Sequence, residues 1–275
     1  MTDARVQSPD VSRFSAVDDT EDPQHLIDVL DVAKRLPGFA PAKAQLLDQL
    51  GVECASSALD VGCGYGADVI ELAKRLRPGG RTTGVDVSEA MIAEATERST
   101  GSPLDVRFLV ADALALPFED NEFDLCRIET VLQHLADPGR AVAEMVRVTR
   151  PGGRVGALEL DPGTMYVDHP DVELFEALRR SFINAVVGSM ARHAPRLFVE
   201  AGLADVQITP HVITGDPYAY RLQLAHYVDA LRDRGSISAE RASRWWSTVD
   251  AASAAGHFNG GITAFVVVGT VNRER

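Results

Sequence analysis

The stretch that decides the fold class is Leu-Asp-Val-Gly-Cys-Gly-Tyr-Gly at residues 59–66. The apolar run before it predicts a β-strand, and a helical pattern begins directly after it, near Ala67. Gly62, Gly64 and Ala67 satisfy the pattern G-x-G-x-x-G/A, in which glycines allow a tight turn and a close approach of the backbone to a ligand. An NAD-dependent oxidoreductase is therefore one interpretation of this loop.

Short apolar runs and helical patterns alternate on both sides of the loop. The predicted strands lie near 57–61, 81–85, 105–110, 123–128 and 153–160, and the predicted helices near 67–76, 88–98, 130–135 and 138–148. This alternation is typical of repeated βαβ units. It predicts an α/β fold built around a mostly parallel sheet.

We expect four regions along the chain. Residues 1–50 form a polar tail and a helical cap, with helices at 22–36 and from Pro41 to residue 50, and residues 51–161 form a cofactor-binding core. Residues 162–257 form a helical lid or substrate region that starts with a loop at 162–170. Its helices are predicted near 171–188, 192–201, 217–234 and 237–255, with one sheet strand near 205–213. Residues 258–275 supply the last strand.

Three aspartates help to choose between interpretations of the glycine loop. Asp60 stands two residues before Gly62, where a carboxylate would repel a pyrophosphate and attract a cation. Asp86 ends the second predicted strand, where it can accept hydrogen bonds from ribose hydroxyls in either interpretation. Asp112 follows the third strand and can accept a hydrogen bond from an adenine amine. The trio fits a positively charged nucleoside better than a diphosphate.

Five ordered segments resemble the class I S-adenosylmethionine-dependent methyltransferases, in particular a small-molecule branch similar to the ubiquinone and menaquinone biosynthesis enzymes. The segments are LDVGCGYG at 59–66, GVDVSEAMI at 84–92, VADALALPFEDNEFDL at 110–125, VLQHLADP at 131–138 and RVTRPGG at 147–153. The resemblance covers residues 56–160 closely and the rest loosely. It implies a Rossmann-like class I methyltransferase fold with a seven-stranded, mostly parallel sheet, one antiparallel strand at 261–271, and a helical cap.

The resemblance also implies S-adenosyl-L-methionine as the cofactor. The implied cofactor-binding residues are Asp60, Gly62, Gly64, Gly66, Asp86, Val87, Met91, Asp112, Ala113 and Arg127. In the family's pattern, Asp60 and the Arg127 backbone serve the methionine ammonium, Asp86 binds the ribose, Val87 and Met91 flank adenine, and Asp112 with Ala113 recognises its amine. Structural roles remain as alternatives, because Asp60 can orient the loop, Asp112 can form a turn, and Val87 and Met91 can be core residues.

The catalytic residues are less specified by the sequence than the cofactor site. The resemblance places the substrate pocket after the fourth and fifth strands, where the candidate bases are Glu129, His134, Glu159, Asp161 and His169. His134, with Glu129, is the first choice, since imidazole titrates near neutrality; its alternative role is to shape the cofactor pocket. A divalent metal site at Glu159, Asp161, Asp168 and His169 matches no ligand spacing, so no metal is expected and a loop is the better interpretation.

The amino-acid composition excludes some classes of binding partner. The chain has 275 residues, 45% of them hydrophobic, and a formal net charge of −13. Such an acidic chain lacks the basic surface that nucleic acids or anionic membranes require. Three unpatterned cysteines, Cys54, Cys63 and Cys126, and the lack of a leader or spanning segment suggest a cytoplasmic protein. The oligomeric state stays open, a homodimer among the alternatives.

The expected function is methyl transfer to a small organic metabolite, as in secondary metabolite biosynthesis, with O- or C-methylation ahead of N-methylation. Substrate contacts are expected from the stretch around Phe14 to Val17 and from residues 162–190 and 217–260. Two alternatives stay open. One is a relative that keeps the cofactor site but does not methylate, serving as a cyclase or regulatory protein, and the other is the NAD-dependent oxidoreductase.

Overall fold

A computed structural model of the chain describes residues 17, 18, 27, 30, 38–186, 188 and 190–273. Its helices are α1 (Phe39–Leu50), α2 (Ala67–Arg75), α3 (Glu89–Ser99), α4 (Pro138–Val148), α5 (Val172–Ala185), α6 (Met190–Glu200), α7 (Pro217–Asp233) and α8 (Ala239–Ala254). Its strands are β1 (Ser57–Val61), β2 (Arg81–Asp86), β3 (Asp105–Val110), β4 (Phe123–Glu129), β5 (Thr149–Val167), β6 (Leu203–Thr214) and β7 (Gly260–Val271). Single turns of 3-10 helix lie at Val52–Cys54 and Leu132–His134.

The strands form one seven-stranded sheet in the order β3-β2-β1-β4-β5-β7-β6. Strands β1 to β5 pair in parallel, and β7 runs antiparallel to both β5 and β6. The predicted fold class, including the antiparallel last strand, is confirmed. Strand order reverses between β1 and β4, which is the point where open α/β sheets bind ligands at the carboxyl ends of their strands.

Helices cover both faces of the sheet because the strands are apolar on both sides. On one face, Leu158 and Leu160 of β5 pack in a cluster with α1, α5, α7 and α8. On the other face, Val155 and Ala157 pack with α4 and α6. Neighbouring β5 residues therefore point to opposite layers, which fixes where each polar residue of this strand lies.

Strand β5 differs from the prediction. The expected strand 153–160 followed by a loop at 162–170 is instead one strand from Thr149 to Val167, with a register shift against β7 between Asp161 and Tyr166. Pro162-Gly163 is a turn signal by local sequence, but pairing of Tyr166 and Val167 with β7 keeps the segment in the sheet.

The N-terminal part of the chain is described only in pieces. The predicted tail at 1–12 lies outside the described residues, and of the predicted helix 22–36 only residues 27 and 30 are described, both helical. Helix α1 begins at Phe39, two residues before Pro41, which a first helical turn tolerates. Across the described residues, no helix combines the length and apolar character needed to cross a membrane.

Candidate active site

A cavity of about 360 Å³ opens at the carboxyl ends of β1, β2 and β4. The predicted residues that line it are Asp60, Gly62, Gly64, Asp86, Val87, Met91, Asp112, Ala113, Arg127, Glu129 and His134. Gly66 does not line it: a Cβ there would lie 2.7 Å from the Phe108 ring and 2.9 Å from Ala95. Gly66 thus has a packing role at the start of α2, and its cofactor role stays a prediction.

The glycine loop presents its backbone to this cavity. Gly62 and Gly64 adopt φ values of +70° and +53°, a region that favours glycine. A Cβ on Gly62 would lie 2.3 Å from Cγ2 of Val131, whereas the nearest described atom to a Cβ on Gly64 is Leu30 Cδ1, at 3.9 Å. Gly62 thus allows close packing within the protein, and Gly64 leaves room for a ligand.

Asp86 holds this loop in place. Its Oδ2 accepts a hydrogen bond from the Gly64 N–H at 2.8 Å, and its Oδ1 accepts one from the Ser88 N–H at 3.0 Å. Burial raises the pKa of Asp86, against the lowering effect of these N–H groups. A carboxylate has about four lone-pair sites, so Asp86 can hold the loop and still accept bonds from ribose hydroxyls.

Asp112 lies exposed at the rim of the cavity. Its Oδ1 accepts a hydrogen bond from the Leu114 N–H at 2.8 Å, so the turn role considered from sequence is present. Met91 is buried and Val87 is exposed. Both line the cavity, and their roles beside adenine stay predictions.

Five charged side chains form a cluster at the side of the cavity formed by β1, β4 and the start of α2. Arg127 is 2% exposed; its Nε lies 3.3 Å from Asp60 Oδ1, and its Nη2 pairs with Glu129 Oε2. Lys43 of α1 pairs with Asp68 Oδ1 and with Glu129 Oε1, each at 2.8 Å. Burial alone would lower the pKa of Arg127, but Asp60 and Glu129 hold it above its ordinary value.

This cluster changes the interpretation of Arg127 and adds two residues to the site. The family pattern assigned only the Arg127 backbone, whereas the structure places its side chain beside Asp60. Lys43 and Asp68 were missed; Asp68 stands in the first turn after the glycine loop, but no local signal marks Lys43. Three carboxylates face two cations, so an additional positive charge is favoured there.

The surroundings of the two predicted catalytic residues do not favour a role as general base. Burial lowers the pKa of His134 to about 4, so the imidazole is neutral at pH 7 but binds a proton weakly. The Gln133 amide Nε2 lies 3.3 Å from His134 Nε2. Both oxygens of Glu129 are in ion pairs. A catalytic role for either residue stays a prediction, and the contacts favour roles in shaping and charging the cavity.

The other candidate bases lie in separate surroundings. Asp161 forms a bidentate pair with Arg192, at 2.5 and 3.1 Å. The His169 ring stacks on Trp245, and its Nδ1 accepts the Asp171 N–H. Within the described part of the chain, no group of three His, Cys, Asp or Glu residues is arranged to hold a metal ion.

The remaining wall of the cavity is largely apolar. It is formed by Val17, Leu30, Phe39, Leu160, Phe182 and Val186, together with Gln223 of α7. All three predicted substrate-contact regions contribute a residue to it, although Phe14 lies outside the described residues. No local pattern marked Gln223 as a substrate contact. Its amide makes no hydrogen bond to any residue the structure describes, so it is free to bind a ligand.

The sheet-end carboxylates and the open Gly64 backbone together fit an S-adenosylmethionine-type ligand. The space beside Gly64 admits the close approach of the methionine part, and the surplus carboxylate suits its ammonium and sulfonium charges. A diphosphate in this cavity would be repelled by the carboxylates of Asp60, Asp86 and Asp112.

Comparison with known proteins gives a family match over the core. Residues 59–156 match the family described as "Methyltransferase domain". An uncharacterized 37.1 kDa protein in transposon Tn4556 of Streptomyces fradiae is 36% identical over 231 residues, which are 82% of this chain and 66% of that protein. Demethylmenaquinone methyltransferase of Staphylococcus aureus is 36% identical over 148 residues, or 54% of this chain and 59% of that protein. The chain thus spans less than two thirds of the length of these relatives.

Solved structures share the fold at low sequence identity. The phosphoethanolamine N-methyltransferase 2 of Haemonchus contortus, solved with S-adenosyl-L-methionine, has a TM-score of 0.54 at 18% identity. The alignment covers 84% of this chain and 52% of that protein's chain. The [4+2]-cyclase SpnF has a TM-score of 0.52 at 20% identity, and the alignment covers 84% of this chain and 81% of the cyclase chain. One fold therefore carries different reactions, and function has to be argued from the site.

Proposed function

Because the chain belongs to the class I S-adenosylmethionine-dependent methyltransferases, we propose that it transfers the methyl group of S-adenosylmethionine to a small organic metabolite, with O- or C-methylation ahead of N-methylation. The observation that carries the proposal is the grouping of Asp60, Asp86 and Asp112 around one cavity, beside the open backbone of Gly64. A secondary metabolite is the substrate type we favour.

The cofactor-binding roles follow the family pattern and the contacts in the cavity. Asp86 binds the ribose, Met91 and Val87 flank adenine, and Asp112 accepts from its amine. The cluster of Asp60 and Arg127 lies at the methionine end. S-adenosylmethionine supplies a methyl group on a sulfonium, whose sulfur keeps the electron pair of the broken C–S bond and becomes a neutral thioether.

The protein's own task is to place the nucleophile and exclude water. Alignment of a nucleophile with the methyl carbon can lower the barrier by roughly 7 to 11 kcal/mol through proximity alone. Phe39, Leu160 and Phe182 form an apolar wall that excludes water, and Gln223 supplies an uncharged hydrogen-bonding group. This wall favours an uncharged, mostly apolar substrate that carries a polar group able to pair with an amide.

The surroundings of the candidate bases limit the kind of nucleophile further. His134 has a pKa of about 4, and Glu129 is held by Arg127 and Lys43. A phenol or an enol is more acidic than an alcohol, so a weaker base is enough to take its proton as the bond to the methyl group forms. We therefore favour such a substrate over an alcohol or a protonated amine.

A cytoplasmic setting is part of the proposal. In the described residues Cys54, Cys63 and Cys126 are free thiols, two of them buried, as expected of a reducing compartment.

Calorimetry with S-adenosylhomocysteine tests the cofactor site. We expect the wild-type protein to bind it and Asp86→Ala to weaken binding at least tenfold, because both the ribose contact and the Gly64 bond are lost. Asp105→Ala is the control, since Asp105 pairs with exposed Arg81 at the opposite end of the sheet. Equal affinities of wild type and Asp86→Ala, or binding of NAD(H) instead, would refute the assignment.

Methyl transfer itself is tested by incubating the protein with S-adenosylmethionine and candidate phenols and enols. Release of S-adenosylhomocysteine that depends on the added metabolite supports a methyltransferase. A protein that binds the cofactor, converts the metabolite and releases no S-adenosylhomocysteine would instead be a cyclase-type relative.

A further inference from the structure

Glu159 is a fully buried acid beside the active-site cavity, with 0% of its surface exposed. It lies on β5, one residue after Leu158, and so points to the layer of α4 and α6. Its Oε1 accepts hydrogen bonds from the backbone N–H groups of Val131 and Leu132, at 3.2 and 3.0 Å. The acid therefore anchors residues 131–134, the turn that follows β4.

This turn touches both ends of the cavity. Cγ2 of Val131 occupies the space where a side chain on Gly62 would begin, so the turn supports the glycine loop directly. His134, at the other end of the turn, lines the cavity. Thr130, just before the turn, has φ +55°, a strained value for a β-branched residue that only a well-held neighbourhood maintains.

The surroundings of the second oxygen of Glu159 do little to stabilise a negative charge there. Among the described residues, no hydrogen-bond partner is present for Oε2. Burial raises the pKa of Glu159 to about 8, against the lowering effect of the Leu132 and Val131 N–H groups. At pH 7 the carboxyl is therefore mostly neutral, and it ionises as the pH rises through about 8.

From these contacts we propose that Glu159 is a positioning residue: it fixes the 131–134 turn and, through Val131, the glycine loop against which the cofactor binds. The inference rests on the proposed function, because it concerns the same cofactor site. Glu159 itself does not line the cavity and acts only through the turn.

The surrounding charges agree with a neutral acid. Glu129 on neighbouring β4 raises the pKa of Glu159, but its own charge is taken up by Arg127 and Lys43. Asp161, on the same face of β5, is paired with Arg192 of α6. The titratable group on the turn is His134, which burial keeps neutral. β7 places the apolar Phe265 opposite Glu159.

The sign of the pH effect follows from these groups. Ionisation puts into an apolar layer a negative charge that the two backbone N–H groups stabilise only in part, which favours water entry and displaces the turn. Affinity for S-adenosylhomocysteine should therefore fall as the pH rises from 7 to 9. Glu159→Gln keeps an acceptor for the two N–H groups and cannot ionise.

The experiment compares affinities for S-adenosylhomocysteine by calorimetry at pH 6.5, 7.5 and 8.5 in the wild type, Glu159→Gln and Glu159→Leu. We expect Glu159→Gln to match the wild type within threefold at pH 6.5 and to lose less affinity at pH 8.5. Glu159→Leu, which leaves both N–H groups unpaired, should bind at least tenfold more weakly at every pH while still folded. The ligand's own titration is common to all variants and cancels in their comparison.

Glu144→Gln is the matched control, since Glu144 is also a buried acid that accepts a backbone N–H, from Leu116, but lies outside the cavity. It should keep the wild-type pH dependence of binding. The inference is overturned if Glu159→Gln and the wild type lose affinity equally between pH 6.5 and 8.5, or if folded Glu159→Leu binds as well as the wild type. Failure of the wild type to bind S-adenosylhomocysteine would instead refute the proposed function.

Discussion

Gly64 can be tested separately from Gly62, although both lie in the same loop. Gly64→Ala adds a methyl group on the ligand side, so we predict at least a tenfold loss of S-adenosylhomocysteine affinity and about 1 kcal/mol of backbone strain. Gly62→Ala drives a methyl group into Val131 and should lower the melting temperature by more than Gly64→Ala does. The measurements are calorimetry and thermal unfolding.

Gly79→Ala is the control for backbone strain, because Gly79 has φ +80° and no described atom within 4 Å of the added Cβ. It should melt like Gly64→Ala and bind like the wild type. Tight binding by Gly64→Ala would show that the ligand does not approach the loop there.

Site residues that a local sequence pattern marks were predicted, whereas contacts between distant strands were not. Spacing after β1 identified Asp60, Gly62 and Gly64, because the loop geometry needs glycine and the carboxylate sits at a strand end. The pairing of Asp60 with Arg127 comes from the register of β1 and β4, which places these two residues side by side. A single sequence contains no signal for that register, so the role of the Arg127 side chain was missed.

Helix α1 is tied to the core through Lys43. Lys43→Met removes one ion-pair partner from Asp68 and one from Glu129, leaving carboxylates with little exposure less compensated. We predict a loss of about 2 kcal/mol in the free energy of unfolding and a melting temperature lower by about 5 °C. Denaturant and thermal unfolding measure both.

Lys74→Met is the matched control, because Lys74 forms an exposed pair with Glu71 within one helix. Exposed pairs contribute about 0 to 1 kcal/mol, so this variant should unfold close to the wild type. Equal unfolding of the two lysine variants would mean that Lys43 does not hold α1 to the core.

Elements with strong local patterns were predicted well, and the exceptions have physical causes. The glycine loop and helices α2, α3 and α4 follow caps, glycines and apolar periodicity. The extension of β5 through Pro162-Gly163 was missed, because pairing with β7, about a hundred residues later, overrides the local turn signal. The division of the chain into a cap, a core, a lid and a last strand stays a prediction.

At the scale of the whole molecule, the cavity combines segments far apart in sequence. The strand ends supply the carboxylates. The methyltransferase family was predicted from five motifs, and the methyltransferase-domain match at residues 59–156 confirms it. The substrate wall takes Phe39, Phe182 and Gln223 from helices outside that match. Its composition depends on how those helices pack, so the sequence predicted the regions but not the residues.

The most direct test of the whole account is a crystal structure of the protein grown with S-adenosylhomocysteine. We predict that the nucleoside lies in the cavity with its ribose at Asp86, its adenine beside Met91 and its amino-acid end toward Asp60 and Arg127. A ligand bound elsewhere, or an empty cavity at saturating ligand, would contradict the central claim that these strand-end carboxylates form a site for a sulfonium nucleoside.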